Sequence, residues 1–162
     1  MDINPKFRPL VKSDWPSVSE IYRLGLETRL ATFETTVPTW GDWDSSHLET
    51  CRIIAEVENR IAGWAVLSPV SKRKVYEGVA EVTIYIHPDF SGRGIGSALM
   101  NELIVQSEVE GFWTLQSSVF PENIASIRLH LKHRFREVGY REKIAQLDGE
   151  WRNTMILERR VN

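Results

Sequence analysis

Cysteine is nearly absent: Cys51 stands alone among 162 residues, so no disulfide can form within the chain and a reducing compartment suits it. Long apolar runs are missing too, since none approaches the roughly 18 residues that a membrane-crossing helix needs. The opening MDINPKFRPL carries no apolar signal core, and the expected location is the cytoplasm. Positive charge is not in excess: 20 Lys and Arg face 22 Asp and Glu, a formal net charge of −2. That balance, with no basic stripe, speaks against nucleic acid as a partner. No repeat, low-complexity tract or Pro/Gly/Ser linker divides the chain, which predicts one domain over 1–162. No metal site is expected.

What is present is globular in character, 42% hydrophobic and 26% charged, and long enough to bury a core. KFRPL reads as a short strand. Ser13 is placed to cap a helix with Pro16 in its first turn, after which Val18, Ile21, Tyr22 and Leu26 recur at helical spacing. TFETTVPTWGDWDSS reads as loop and SSHLETC as a short helix that holds Cys51. Two strands flank the turn Glu58-Asn59-Arg60, and AEVTIYIHP is a third, ended by Pro88. A helix then runs to about Gly111, WTLQSSVF is a strand, and Glu122 or Asn123 opens a helix through IASIRLHLKH. Two closing strands meet at LDGE. The order β-α-α-β-β-β-α-β-α-β-β predicts a mixed α/β fold of the α+β kind, one mostly antiparallel sheet flanked by helices.

Between AEVTIYIHP and its following helix lies SGRGIGS, with Gly92, Gly94 and Gly96 at every second position. Glycines at a strand-to-helix turn let backbone N–H groups approach a ligand, and a helix N-terminus favours negative charge. The loop therefore suits an anion. A phosphate-binding P-loop would end in Gly-Lys-Ser/Thr, which this chain lacks, and the dinucleotide fingerprint spaces its glycines unevenly.

PDFSGRGIGSALMNELI resembles the acetyl-CoA loop and helix of the GNAT superfamily of N-acetyltransferases, and the likeness continues through AEVTIYIHP before it and PENIASIRLHLKHRFREVGY after it. Within that superfamily the chain resembles the phosphinothricin acetyltransferase group, from FRPLVKSDWPSVSEIY to LDGEWRNTMILER. The resemblance implies acetyl-CoA as acyl donor, a GNAT-like sheet and a homodimer. It implies that amides of Gly92, Arg93, Gly94, Ile95, Gly96 and Ser97 cradle the pyrophosphate, with Arg93 either adding a charge or facing solvent. Ser91 stands where the superfamily usually has Arg or Gln, so a long polar contact gives way to a hydroxyl and an amide. The strand Ile84-Tyr85-Ile86 is implied to splay from its neighbour and offer free backbone groups to the cofactor.

Glu81 is the most informative acid, because a carboxylate in the apolar setting AEVTI is costly to bury unless paired. Burial would raise its pKa toward the range of a general base, the role that the group assigns to the matching Glu; the alternatives are a solvent-facing side chain or an arginine pair. In ENIASIRLHLK the resemblance makes Asn123 a cofactor contact, while its residue type also makes it a good helix cap. Ser126 is a further cofactor contact, and His130 falls where the superfamily carries the acid that protonates the departing thiolate. Arg134 replaces the usual glycine at this helix end, which predicts an altered turn.

For the acceptor, the resemblance points to LETRLATFETTVP and SKRKVYEG. Thr32, Phe33 and Tyr76 are the pocket candidates, and Arg29 or Arg73 could pair with a substrate carboxylate. Members acting on phosphinothricin or methionine derivatives often carry Arg four residues before the catalytic Glu; here that residue is Glu77, a reversed charge that leaves room for a cationic or neutral amine. The activity implied is acetyl transfer to a small primary amine without a covalent enzyme intermediate. A peptide N-terminus as acceptor, or a non-catalytic acyl-CoA-binding module, are the alternatives.

Overall fold

The computed structural model describes residues 3–162; Met1 and Asp2, the start of the segment read above for a signal core, lie outside the described residues. In chain order, β1 is Lys6–Pro9, α1 Trp15–Glu27, α2 Trp40–Ser46, β2 Ile53–Val57, β3 Arg60–Pro69, β4 Val79–Ile86, α3 Ile95–Val109, β5 Thr114–Val119, α4 Ile124–Lys132, β6 Arg136–Leu147 and β7 Glu150–Arg160. The seven strands form one sheet in the order β1-β2-β3-β4-β5-β7-β6. Every pairing is antiparallel except that of β4 with β5, as the element order predicted. No helix among the described residues is long and apolar enough to cross a membrane.

Alternation sorts the side chains of the sheet onto two faces. Ile54, Trp64 and Val66 meet Val18 and Ile21 of α1 and Trp43 of α2, with Tyr22 and Tyr85 packed against them. The other face holds the larger core, where Ile53, Ala55, Ala65, Leu67 and Ala80 meet Ile95, Leu99, Met100 and Leu103 of α3. Tight turns follow local chemistry: Glu58 and Asn59 both take positive φ between β2 and β3, as do Asp148 and Gly149 between β6 and β7, the pattern that matches strand twist in a two-residue hairpin.

Local expectations needed correction at three places. The first helix is preceded by Asp14 rather than capped by Ser13, because Asp14 is buried and its carboxylate takes hydrogen bonds from the Val11 amide and the Arg8 guanidinium. The second helix starts earlier than SSHLETC: Thr39 caps it by accepting from the Asp42 amide, and it ends at Ser46. Cys51 is consequently not helical but buried in a left-handed bend with φ 59°. At the end of α4 Arg134 itself adopts the glycine conformation, φ 67°. The Phe135 amide donates to the His130 carbonyl and the Arg134 amide to that of Leu131, which is a Schellman ending without glycine.

Candidate active site

The site begins where β4 and β5 separate. They pair only at Val79–Thr114, Ala80–Leu115 and Glu81–Gln116, although the strands run on to Ile86 and Val119. β4 stays paired with β3 from Ala80 to Ile86, while its other edge has no strand partner beyond Glu81 among the described residues. The gap opens a cleft of about 570 Å³.

Sequence-predicted residues gather there: Glu81, Ile84, Tyr85, Ile86, Gly96, Asn123, Ser126, His130, Thr32 and Phe33 all line the cleft. Of the predicted glycine loop, Gly96 lines the cleft, whereas Ser91, Gly92, Arg93, Gly94, Ile95 and Ser97 do not. Gly92 and Gly94 have φ of 73° and 79°, conformations that other residues adopt at a cost. Gly94 heads α3 and its carbonyl accepts from the Ala98 amide; the amides before Ala98 in this first turn have no intrahelical acceptor. A Cβ on Gly96 would come only to 3.8 Å from Ile86 and Leu129, so packing does not demand glycine there and the open side is the cleft.

The hydroxyl and amide of Ser91 both turn back to the Pro88 carbonyl, while Ser97 Oγ meets His133 Nε2 at 2.9 Å. The Arg93 guanidinium lies 5.9 Å from the centre of the Phe90 ring, and the side chain of Ile95 is buried in the core. Asn123 accepts from the Ser126 amide and donates to the Leu30 carbonyl, tying α4 to the loop that carries Thr32 and Phe33.

Three predicted acceptor residues stand apart from the cleft. The guanidinium of Arg29 pairs with Asp148 at 3.1 Å, at the β6–β7 turn. Arg73 lies over the ring of Tyr76 at 5.6 Å, both on the exposed segment before β4. Glu77 is exposed beside them and lines no described cavity, so its charge reversal does not enter the cleft. What the sequence missed is a second cavity of about 450 Å³ beside the first, sharing Tyr22, Glu34, His47 and Glu81 with it. Glu81 thus stands between the two. The FET triplet carrying Glu34 was the available signal; Tyr22 was legible only as a helix-face aromatic.

Burial pushes the Glu81 carboxyl above the ordinary carboxylate range, and the Arg141 guanidinium acts in the opposite direction. Tyr22 is pushed up to about 12 by burial, with Glu34 adding to it; its ring meets Tyr85 edge-on at 5.0 Å. His130 is buried and its pKa is lowered by desolvation. Its Nδ1 lies 2.6 Å from the Ser126 carbonyl and its Nε2 2.7 Å from Ser117 Oγ. A carbonyl only accepts, so Nδ1 carries the proton, and the neutral ring offers Nε2 as acceptor to the Ser117 hydroxyl. An imidazole in that state has no Nε2 proton to give a thiolate.

Sheet, parted strands and glycine-headed helix together define an acyl-transfer scaffold, and comparison with known proteins agrees. Residues 15–135 match the acetyltransferase (GNAT) family, and the chain belongs to that family. It is 33% identical over 154 residues to YwnH of Bacillus subtilis (strain 168), covering 92% of this chain and 94% of the relative. It is 29% identical to a phosphinothricin N-acetyltransferase of Streptomyces coelicolor, with 94% of each covered. A phosphinothricin acetyltransferase from Sinorhizobium meliloti, solved in complex with AcCoA, superposes with a TM-score of 0.89 at 27% identity, covering 98% of this chain and 89% of the other.

Proposed function

We propose that the protein transfers an acetyl group from acetyl-CoA to the primary amine of a small molecule, by direct attack in the cleft between β4 and β5, and that residues 1–162 form one acetyltransferase domain. The observation that carries this reading is the parting of the strands just past Glu81, which leaves a cleft lined by the Glu81 carboxyl and by Gly96 in the first turn of α3. The residues fit the donor. The amides between Gly92 and Ser97, which have no backbone acceptor among the described residues, lie at the positive end of a helix and suit a pyrophosphate, and no side chain crowds the Cβ position of Gly96. The free edge of β4 at Ile84, Tyr85 and Ile86 suits the pantetheine arm and the acetyl oxygen, with Asn123 and Ser126 on the opposite wall. Bound acetyl-CoA supplies the acetyl group as a thioester.

Glu81 takes the proton that converts the incoming ammonium to a nucleophilic amine. Thr32 and Phe33, with Tyr22 and Glu34, frame the acceptor. The relatives named for phosphinothricin support a small amine as that acceptor. We place the protein in the cytoplasm as a homodimer, the latter supported by apolar side chains left bare on the last two strands: Val138, Tyr140, Ile144 and Trp151 are each about half exposed.

The test is thiol release from acetyl-CoA with phosphinothricin, methionine sulfone, free amino acids, a polyamine and a short peptide in turn. Release with a small amine, and a product heavier by one acetyl group, is the expected result. Binding of acetyl-CoA with no release on any acceptor, or release with the peptide alone, would overturn the proposal.

A further inference from the structure

The Ser117–His130 pair has the arrangement of a hydroxyl coupled to a base, with a third group fixing the base. Ser117 is 3% exposed and His130 6%; both line the cleft, Ser117 on the stretch of β5 that has already left β4 and His130 on α4. The Ser126 carbonyl holds Nδ1–H, and the Phe135 ring closes edge-on against the imidazole at 4.9 Å. The helix ending at Arg134 places that ring, since Phe135 follows directly and its amide is bonded to the His130 carbonyl. The imidazole is therefore locked in orientation and tautomer, with its one lone pair aimed at Ser117 Oγ. The oxygen in turn keeps lone pairs for whatever occupies the cleft.

We propose that Ser117 and His130 form a proton shuttle, with Ser117 as a catalytic residue that takes a proton from the attacking nitrogen and later returns one to the departing sulfur. The inference rests on the acetyl transfer proposed above. The first proton of the ammonium goes to Glu81. As the amine nitrogen bonds to the acetyl carbon, it must lose a second proton. Ser117 Oγ accepts it while passing its own hydroxyl proton to His130 Nε2. When the carbon–sulfur bond breaks, the electron pair stays on sulfur. The Ser117 hydroxyl proton moves to that sulfur, and the imidazolium restores the hydroxyl from Nε2. Amide and free thiol leave, and the pair ends as it began, Nδ1–H and neutral. No further acid or oxidant is required, and His130 takes part in thiol protonation through Ser117 rather than by touching the sulfur.

Two measurements test this. The ¹⁵N spectrum of the imidazoles at neutral pH should show His130 as the neutral Nδ1–H tautomer, with the Nε2 signal moving in Ser117→Ala. A cationic ring or an Nε2–H tautomer would overturn the shuttle even if no acceptor were found. With an acceptor that releases thiol, Ser117→Ala and His130→Gln should each lower kcat about 100-fold, leave KM for acetyl-CoA within about twofold, and cost no more together than singly. Wild-type kcat in Ser117→Ala, or losses that multiply in the double variant, would refute the shuttle while leaving acetyl transfer standing. An acetyl group found by mass on Ser117 would also refute it, making the serine a nucleophile. Absence of wild-type turnover on every acceptor would instead count against the transfer reaction itself.

Discussion

The Glu81 carboxyl is raised by its burial, so its proton-accepting form is present only above a pKa that lies higher than an ordinary carboxylate's. Turnover should accordingly fall as pH drops through that raised value. Glu81→Gln is expected to reduce kcat about 100- to 1,000-fold and to abolish this acid limb; an unchanged rate–pH profile would remove Glu81 from the mechanism. Arg141 opposes the effect of burial, and Arg141→Ala should move the acid limb of the wild-type profile to higher pH. Glu81 was legible in the sequence because a carboxylate inside AEVTI is anomalous by itself. Ser117 was not, since a serine in LQSSV is unremarkable until the fold brings His130, thirteen residues away, within 2.7 Å. Arg29 failed to reach the cleft for a related reason, since its partner Asp148 is a tertiary contact; Arg73 lies instead over the ring of Tyr76, a close neighbour in its own exposed segment.

Helix α3 offers the cleanest separation of folding from binding. A methyl group at position 96 meets only ordinary contacts within the protein and improves helix propensity by up to about 1 kcal/mol. Gly96→Ala should therefore keep or raise the melting temperature while weakening acetyl-CoA binding about tenfold by calorimetry; unaltered affinity would detach the loop from the cofactor. At the end of α4, Arg134 holds a left-handed conformation that costs an ordinary residue about 1–2 kcal/mol. Part of that returns because glycine loses more freedom on folding, so Arg134→Gly should stabilise the protein by about 0.5–1 kcal/mol in urea unfolding. Most elements were readable from periodicity and turn residues, but the altered turn expected at Arg134 did not form, because the arginine itself takes the glycine conformation. The parting of β4 from β5 carries no local signature, because TIYI reads equally well as a strand paired on both sides.

In the whole molecule β6 is an edge strand, exposed along most of its length, and Tyr140 and Trp151 stand out from the terminal hairpin at 54% and 58% exposure. Unpaired edges with bare aromatics are surfaces that proteins cover. Sedimentation should find a dimer, and Tyr140→Glu with Trp151→Glu should shift it to monomer with the fold retained; a wild-type monomer at high concentration would contradict this. The central claim, that the gap between β4 and β5 is the place of reaction, is tested most directly by a crystal structure with acetyl-CoA bound. The account predicts the pyrophosphate on the amides between Gly92 and Ser97, the pantetheine arm along Ile84–Ile86, and the thioester between Glu81 and Ser117. A cofactor lying elsewhere on the molecule, or a thioester out of reach of both side chains, would contradict it.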